Sequence, residues 1–311
     1  WLQYVNPMAM NMMAIKKISP QIQAVGLCHS VQGTAEMLAN DLGENIDDIE
    51  YNCAGINHMA FYTKFEKKKL NGMNEDLYPK LKKLAEKVVD GSYSSSRSQN
   101  AEIHGRTLSE KVRYEMLKRL GFFVTESSEH FSEYVPWFIK QNRQDVIDKY
   151  KIPIEEYIDR CKHNIKLWDQ LEKDMTPIYE QPLKRSNEYA SYIMDAVINN
   201  NKITINANVM NDGYVENLPS NCCVEMPCSI NSKGYFPQKF GKLPEHLAAL
   251  MRTNINVQIL TAEAALTRKK EYIYHAAMLD PLTAANLTID EIYSMTDKMI
   301  ELHGNYLPKY K

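Results

Sequence analysis

Short apolar runs alternate with amphipathic stretches through the first fifty residues. Residues 2–5 and 24–28 are compact apolar runs bounded by polar positions, the signature of short buried strands. Residues 8–15 between them read as a helix, with Pro7 suited to its first turn. Val31, Ala35, Leu38 and Leu42 recur at helical spacing, with Ser30 as a candidate cap and Gly43 as a stop. A third strand opens at 49–53. Strand and helix in strict alternation predict the far end of a doubly wound sheet.

The pattern changes after residue 52. Residues 57–66 alternate into a strand, and Lys67, Lys68, Lys69 and Gly72 mark a solvated turn. Residues 77–89 are helical. The Ser-, Gly- and Arg-rich stretch 90–100 reads as a mobile loop, either a plain surface loop or a lid. Thr107 and Glu110 have capping-box spacing before a helix that buries Val112, Met116, Leu117 and Leu120 and closes at Gly121. Amphipathic helical segments fill 143–174, broken at Pro153, and 187–199 is another helix. Ile203, Ile205, Ala207 and Val209 alternate in a strand. Asn211-Asp212-Gly213 then turns the chain into a second strand over 218–228, and 231–234 turns it into a third. A long helix runs over 246–267 behind Pro244, and 270–303 holds two or three more. The expected fold is α/β: the distal part of a Rossmann-like sheet of the lactate/malate-dehydrogenase kind over 1–52, then a mainly helical α+β catalytic domain over 53–311.

Composition narrows the classes. The 311 residues are 44% hydrophobic, enough for a large core. Charges balance at 37 basic and 39 acidic, so no basic field points to nucleic acid or a membrane surface. No apolar run approaches the roughly 20 residues of a membrane helix, and no signal peptide precedes the first strand. Six cysteines do not read as a secreted disulfide framework, and the adjacent Cys222 and Cys223 face opposite ways on a strand. A cytoplasmic setting is expected. Trp1 stands inside a strand with no lead-in, so the chain is expected to be the downstream part of something longer.

The candidate chemistry begins where 25–30 ends in Cys28, His29 and Ser30, at the carboxyl end of a strand, where open α/β sheets place ligands. His58 stands at the start of another strand. A thiolate and an imidazole suit a borderline divalent metal. Two ligands leave positions open for substrate, where an ion polarises a sugar oxygen and acidifies the neighbouring C–H. A buried cysteine and a satisfied histidine are the plainer account of the same pair. Asn6 before Pro7 reads equally as a turn residue, and Arg113 as a surface or snorkelling arginine. The stretch 125–138 carries Glu126, Glu129, His130, Glu133, Tyr134 and Trp137, which suits a sugar site or an N-capped helix with core aromatics.

Several runs are long and uncommon: 4–11, 25–33, 54–60, 112–116, 125–138, 217–219 with 222–225, 246–250 and 274–278. On these the chain resembles the NAD- and manganese-dependent glycosidases of glycoside hydrolase family 4, most of all the melibiose-type α-galactosidases. The resemblance covers essentially the whole chain. It implies a Mn2+ site at Cys28 and His58, with Asn6 and Asn57 touching the sugar and Asn6 also meeting the NAD. The family departs from the two-carboxylate scheme of most glycosidases. It oxidises C3 of the sugar, which acidifies the C2 proton; a base removes that proton, and an acid assists elimination at C1. Phospho-sugar members carry Asp after the metal cysteine; His29 stands there, the pattern of non-phosphorylated α-galactosides, and is the implied acid. Tyr134 is the implied base, with His130 competing, and Arg113 is implied in sugar binding or in lowering the tyrosine's pKa.

The implied substrate is an α-galactoside such as melibiose, acted on by a homodimer or homotetramer in full-length form. Three other readings stay open: an α-glucosidase of the same family, a malate- or lactate-type dehydrogenase, and an inactive remnant. The family opens with a Gly-rich turn that holds the NAD pyrophosphate, and no G-x-G run occurs here. About one domain, on the order of 150 residues, is expected to be missing.

Overall fold

The computed structural model describes residues 1–70, 72–103, 108–174 and 188–311. The chain begins β1 (Leu2–Gln3), α1 (Met8–Ile18), β2 (Val25–Gly26), α2 (Ser30–Leu42). A hairpin of β3 (Ile49–Ile56) and β4 (Met59–Lys67) follows, then β5 (Glu75–Asp76) and α3 (Tyr78–Asp90). Next come α4 (Ser96–Ile103), α5 (Lys111–Leu120), β6 (Phe123–Val124), α6 (Ser128–Tyr134), α7 (Gln144–Tyr150), α8 (Glu156–Asp174) and α9 (Ala190–Asn199). The strands β7 (Ile203–Met210), β8 (Cys223–Asn231) and β9 (Gly234–Pro237) precede α10 (Glu245–Thr267), α11 (Glu271–Leu279), α12 (Pro281–Asn286) and α13 (Ile289–His303).

One sheet joins the strands in the order β1-β2-β7-β8-β3-β4-β5, with β6 on β4 and β9 on β8. Among the strands of the described residues, β1 and β2 pair in parallel and the other pairs are antiparallel. Both faces of its centre are covered, so apolar residues run continuously there rather than alternating. Along β4, Met59 and Phe61 enter one core with Ile56, Val224 and Leu247, whereas Ala60 and Tyr62 enter another with Val31, Leu38, Leu81 and Tyr114. Helix α5 is wedged between the two. It gives Val112 and Met116 to the first core and Tyr114 and Leu117 to the second.

Several expectations shift. Ser30 is the first residue of α2 rather than its side-chain cap, while Gly43 does end that helix with left-handed backbone. The stretch 90–100 is not a continuous loop: α4 begins at Ser96, whose N–H donates to Asp41 Oδ1 at 2.6 Å. Thr107 lies outside the described residues. Helix α5 starts at Lys111, so Glu110 sits at its cap rather than inside it. Strand β8 starts at Cys223, five residues later than the pattern predicts. Asn211 explains the delay: its amide donates to the carbonyls of Val215, Leu218 and Pro219, and its Oδ1 accepts from Val215 N, fixing 211–219 as a loop.

Candidate active site and metal centre

Three local structures deliver the site. The first is the end of β2. Gly26 lies so close to Met8 and Asn208 that a Cβ would stand 2.5 Å from Met8 Sδ and 2.8 Å from Asn208 Cβ. Only glycine lets α1 and β7 close on this strand, and Cys28 follows two residues on, buried. The second is the β3–β4 hairpin, whose two-residue turn is Asn57-His58. The sequence placed His58 at the start of a strand; it stands one residue earlier, in the turn, at φ +65°. The third is the step from β6 to α6. Thr125 is pinned to Ala60 in both directions, N–H to carbonyl at 2.9 Å and amide to Thr125 Oγ1 at 3.2 Å. Ser127 Oγ then caps α6 by accepting from His130 N. Glu126 between them takes φ +69°. Left-handed backbone at a histidine and a glutamate costs on the order of 1–3 kcal/mol each and persists where surrounding contacts fix it.

These structures converge. One ligand atom from each of Cys28, His58 and Glu126 lies within 4.8 Å of the others. His58 Nε2 is 3.6 Å from Glu126 Oε2, while Nδ1 is 3.1 Å from the Tyr134 hydroxyl. The His130 ring stacks on His58 with centroids 5.6 Å apart and planes 9° from parallel. Asn254 Nδ2 donates to the Tyr134 carbonyl at 3.1 Å and so holds the end of α6.

The electrostatics suit ligand groups. Burial lowers the pKa of His58 despite Glu126, so the ring is neutral at pH 7 with a lone pair to give. Burial alone would raise the Glu126 carboxyl; His58, Arg97 and His130 outweigh it and hold the group below the ordinary carboxylate range. Burial, Glu225 and Glu126 push the Cys28 thiol up. Burial and then Glu133, Glu126 and Cys28 push Tyr134 up, whereas the hydrogen bond to Glu133 raises His130. A thiol, a neutral imidazole and a carboxylate gathered in one buried space fit a first-row divalent ion, and the hard carboxylate oxygen is the donor manganese favours.

Two adjoining cavities open on the triad. One of about 590 Å³ is lined by Asn6, Asn57, His58, His130, Glu133 and Tyr134 among others. One of about 320 Å³ is lined by Asn6, Cys28, His29, His58, Glu126 and Arg160 among others. The structure thus brings together Asn6, Cys28, His29, Asn57, His58, His130 and Tyr134. Asn57 Nδ2 is buried and faces the Glu225 carboxyl, without a hydrogen bond of good geometry to it, so it keeps donor capacity at the cavity wall. Asn6 also keeps its turn role, accepting from Met8 N at 3.3 Å. His29 is largely exposed, 3.6 Å from Glu188.

Arg113 is not among them. It is fully buried, donates to Glu110 Oε2 at 2.6 Å and Thr34 Oγ1 at 2.8 Å, and lies over the Phe123 ring. Neither the snorkelling reading nor the substrate-binding one holds: it ties α2 to α5. Arg113→Met is expected to destabilise the fold by about 3 kcal/mol, because buried Glu110 loses its 2.6 Å partner and keeps only Ser128 Oγ at 3.1 Å and Arg97 at 3.7 Å. Urea unfolding measures this. Unchanged stability with weakened sugar binding would restore a substrate role. Glu126 was the residue that sequence missed. It sits inside a conspicuous run, but nothing in its spacing from Cys28 and His58 marks it as their neighbour.

Fold and site together define a Rossmann-like α/β protein with a thiol–imidazole–carboxylate cluster, of a kind that could hold a metal ion, beside a sugar-sized cleft. The family model for family 4 glycosyl hydrolases matches residues 1–44, and that for their C-terminal domain matches 53–283. The chain belongs to family 4 of the glycosyl hydrolases. It is 42% identical over its whole length to an alpha-galactosidase of Bacillus subtilis (strain 168), spanning 67% of that protein. It is 32% identical to an alpha-galactosidase of Rhizobium meliloti (strain 1021), again over its whole length and 61% of the relative. A solved 6-phospho-alpha-glucosidase from gut microorganisms, in complex with NAD and Mn2+, shares the fold at a TM-score of 0.78 and 16% identity, with 100% of this chain and 68% of that one covered.

Proposed function

We propose that the chain forms the catalytic part of an α-galactosidase that cleaves α-galactosides such as melibiose with NAD and Mn2+. The observation that carries this reading is the convergence of Cys28, His58 and Glu126 beside Tyr134 in a chain 42% identical to an alpha-galactosidase. Cys28, His58 and Glu126 hold the metal, which when bound polarises sugar oxygens. NAD, when bound, would supply reversible oxidation of a ring carbinol; of this chain's residues, Asn6 would help hold it.

The remaining work belongs to side chains on the page. Asn57 Nδ2 donates to a sugar oxygen. Tyr134, linked to His58 Nδ1, removes the proton beside the oxidised carbon. His29, at the mouth, protonates the departing oxygen at C1. Water then adds across the double bond: His29, now deprotonated, takes a proton from the water as its oxygen bonds to C1, Tyr134 returns its proton to C2, and return of the hydride would restore the ring carbinol. His130 holds the His58 ring by stacking and keeps Glu133 in place. A division at 52/53 has the support of family matches that end at 44 and resume at 53, although it falls within β3.

A cytoplasmic setting agrees with the free thiols of all six cysteines and with the absence, among the described residues, of a helix long and apolar enough to cross a membrane. We also propose a homodimer or homotetramer for the full-length form. Helix α8 supports it by exposing Tyr157, Ile158, Ile165 and Trp168.

The test is hydrolysis of an aryl α-galactoside and of melibiose with NAD, Mn2+ and a thiol reductant, each omitted in turn. Turnover is expected only with all present. Turnover that persists without NAD and without metal overturns the mechanism. Faster turnover of the α-glucoside overturns the sugar assignment.

A further inference from the structure

A third cavity, of about 330 Å³, lies between α2 and α4 and is lined by His29, Gly33, Asn40, Ser96, Arg97 and Glu126 among others. It shares His29, Arg97 and Glu126 with the cavity at the metal triad, and shares no residue with the larger cavity that Tyr134 lines. The three cavities therefore form a row: Tyr134 on one side, the metal ligands in the middle, and this pocket on the other, with His29 at the junction.

That row fixes an orientation, on the reading of the site proposed above. Elimination needs a base at C2 and an acid at the oxygen leaving C1, and these stand on different sides of the sugar ring. With Tyr134 and Asn6 toward the larger cavity, the oxygen protonated by His29 points toward the third. We propose that the pocket between α2 and α4 is the subsite for the leaving sugar, a neutral hexose.

Its lining suits that ligand. The lining carries Arg97 against two carboxylates, Glu36 and Glu126, and Arg97 itself lies 3.7 Å from Glu110, so the pocket presents no net positive charge for a phosphate. It offers hydroxyl, carboxamide and guanidinium groups of the kind that bind sugar hydroxyls. The floor is bare helix. Gly33 lies inside α2, where glycine costs about 1 kcal/mol against alanine, and nothing stands within 4 Å of where its Cβ would be. The wall is fixed: Ser96 N donates to Asp41 Oδ1 and Ser96 Oγ to the Met37 carbonyl at 3.4 Å, joining α4 to α2.

The experiment is calorimetric binding of melibiose and of methyl α-galactoside to the Mn2+-loaded protein. The unmodified chain is compared with Asn40→Ala, which removes a hydrogen-bonding group, and Gly33→Leu, which fills the floor. The unmodified protein is expected to prefer melibiose about three- to tenfold, the worth of one or two hydrogen bonds. Both variants should abolish that preference while methyl α-galactoside binds as before. The subsite is overturned if the unmodified protein binds the two sugars equally, if both variants keep the preference, or if both sugars weaken together. If neither sugar binds the unmodified protein, the α-galactosidase reading falls, and the subsite with it. That outcome is distinct from binding without preference.

Discussion

Cys28→Ser and His58→Ala are each expected to weaken Mn2+ binding by at least about 100-fold, and Glu126→Gln by about 10–100-fold. Losing a group that merely orients a ligand costs about 10–100-fold elsewhere and losing a direct ligand costs more; Glu126→Gln keeps an oxygen donor and loses only its charge, hence the smaller figure. Free Mn2+ counted by electron paramagnetic resonance reads this without any turnover. The binding should also depend on pH in a defined sense. Burial and two nearby carboxylates push the Cys28 thiol up, so at pH 7 it is protonated and must lose that proton to the metal. His58, lowered by burial, is already neutral and releases none. One proton released per ion means that affinity rises about tenfold per pH unit from 6 to 8. Cys28→Ser should flatten that slope as well as lower the affinity. Unchanged affinity in both Cys28→Ser and His58→Ala would remove the site from these residues.

The legible parts of this molecule are those governed by local pattern. The long alternation of 203–209, the helix behind Pro244 and the stop at Gly43 depend on periodicity and on one glycine's left-handed backbone, and all appear where the pattern puts them. Cys28, His58 and Tyr134 were legible through resemblance, and their proximity follows from the fold. What was hidden depends on long-range contacts. Strand β8 starts late because one asparagine side chain binds four backbone groups. Arg113 looks like a surface residue on its helix, but α2 approaches from 79 positions away to bury it. Glu126 gains its role from an unfavourable backbone angle that no glutamate's sequence context announces. The third cavity needs α2 and α4 side by side, and the stretch that makes α4 has the composition of a loop.

Tyr134→Phe is expected to lower turnover of the α-galactoside by about 10²–10⁴-fold, the range that one positioned acid–base group contributes. It should weaken Mn2+ binding by no more than about 10–100-fold, the cost of losing a group that orients a ligand, since the ring lies behind His58 rather than among the ligand atoms. The geometry of His58 shows how a tyrosine could serve as the base proposed here. Its Nε2 faces Glu126 and is the nitrogen available to the metal; its Nδ1 faces the Tyr134 hydroxyl. Engaging Nε2 places the ring proton on Nδ1, which then donates to the phenol oxygen and favours its ionised form. Without positive charge at the triad, burial and the surrounding anions Glu133 and Glu126 keep the phenol protonated. On the proposed assignment the base would be armed by the same event that completes the metal site, and His130→Gln, which removes a stacking neighbour and a partner of Glu133 but no reacting group, should cost far less. If His130→Gln lowers turnover as much as Tyr134→Phe while Mn2+ still binds both variants, the base is the imidazole and the Tyr134 assignment is lost.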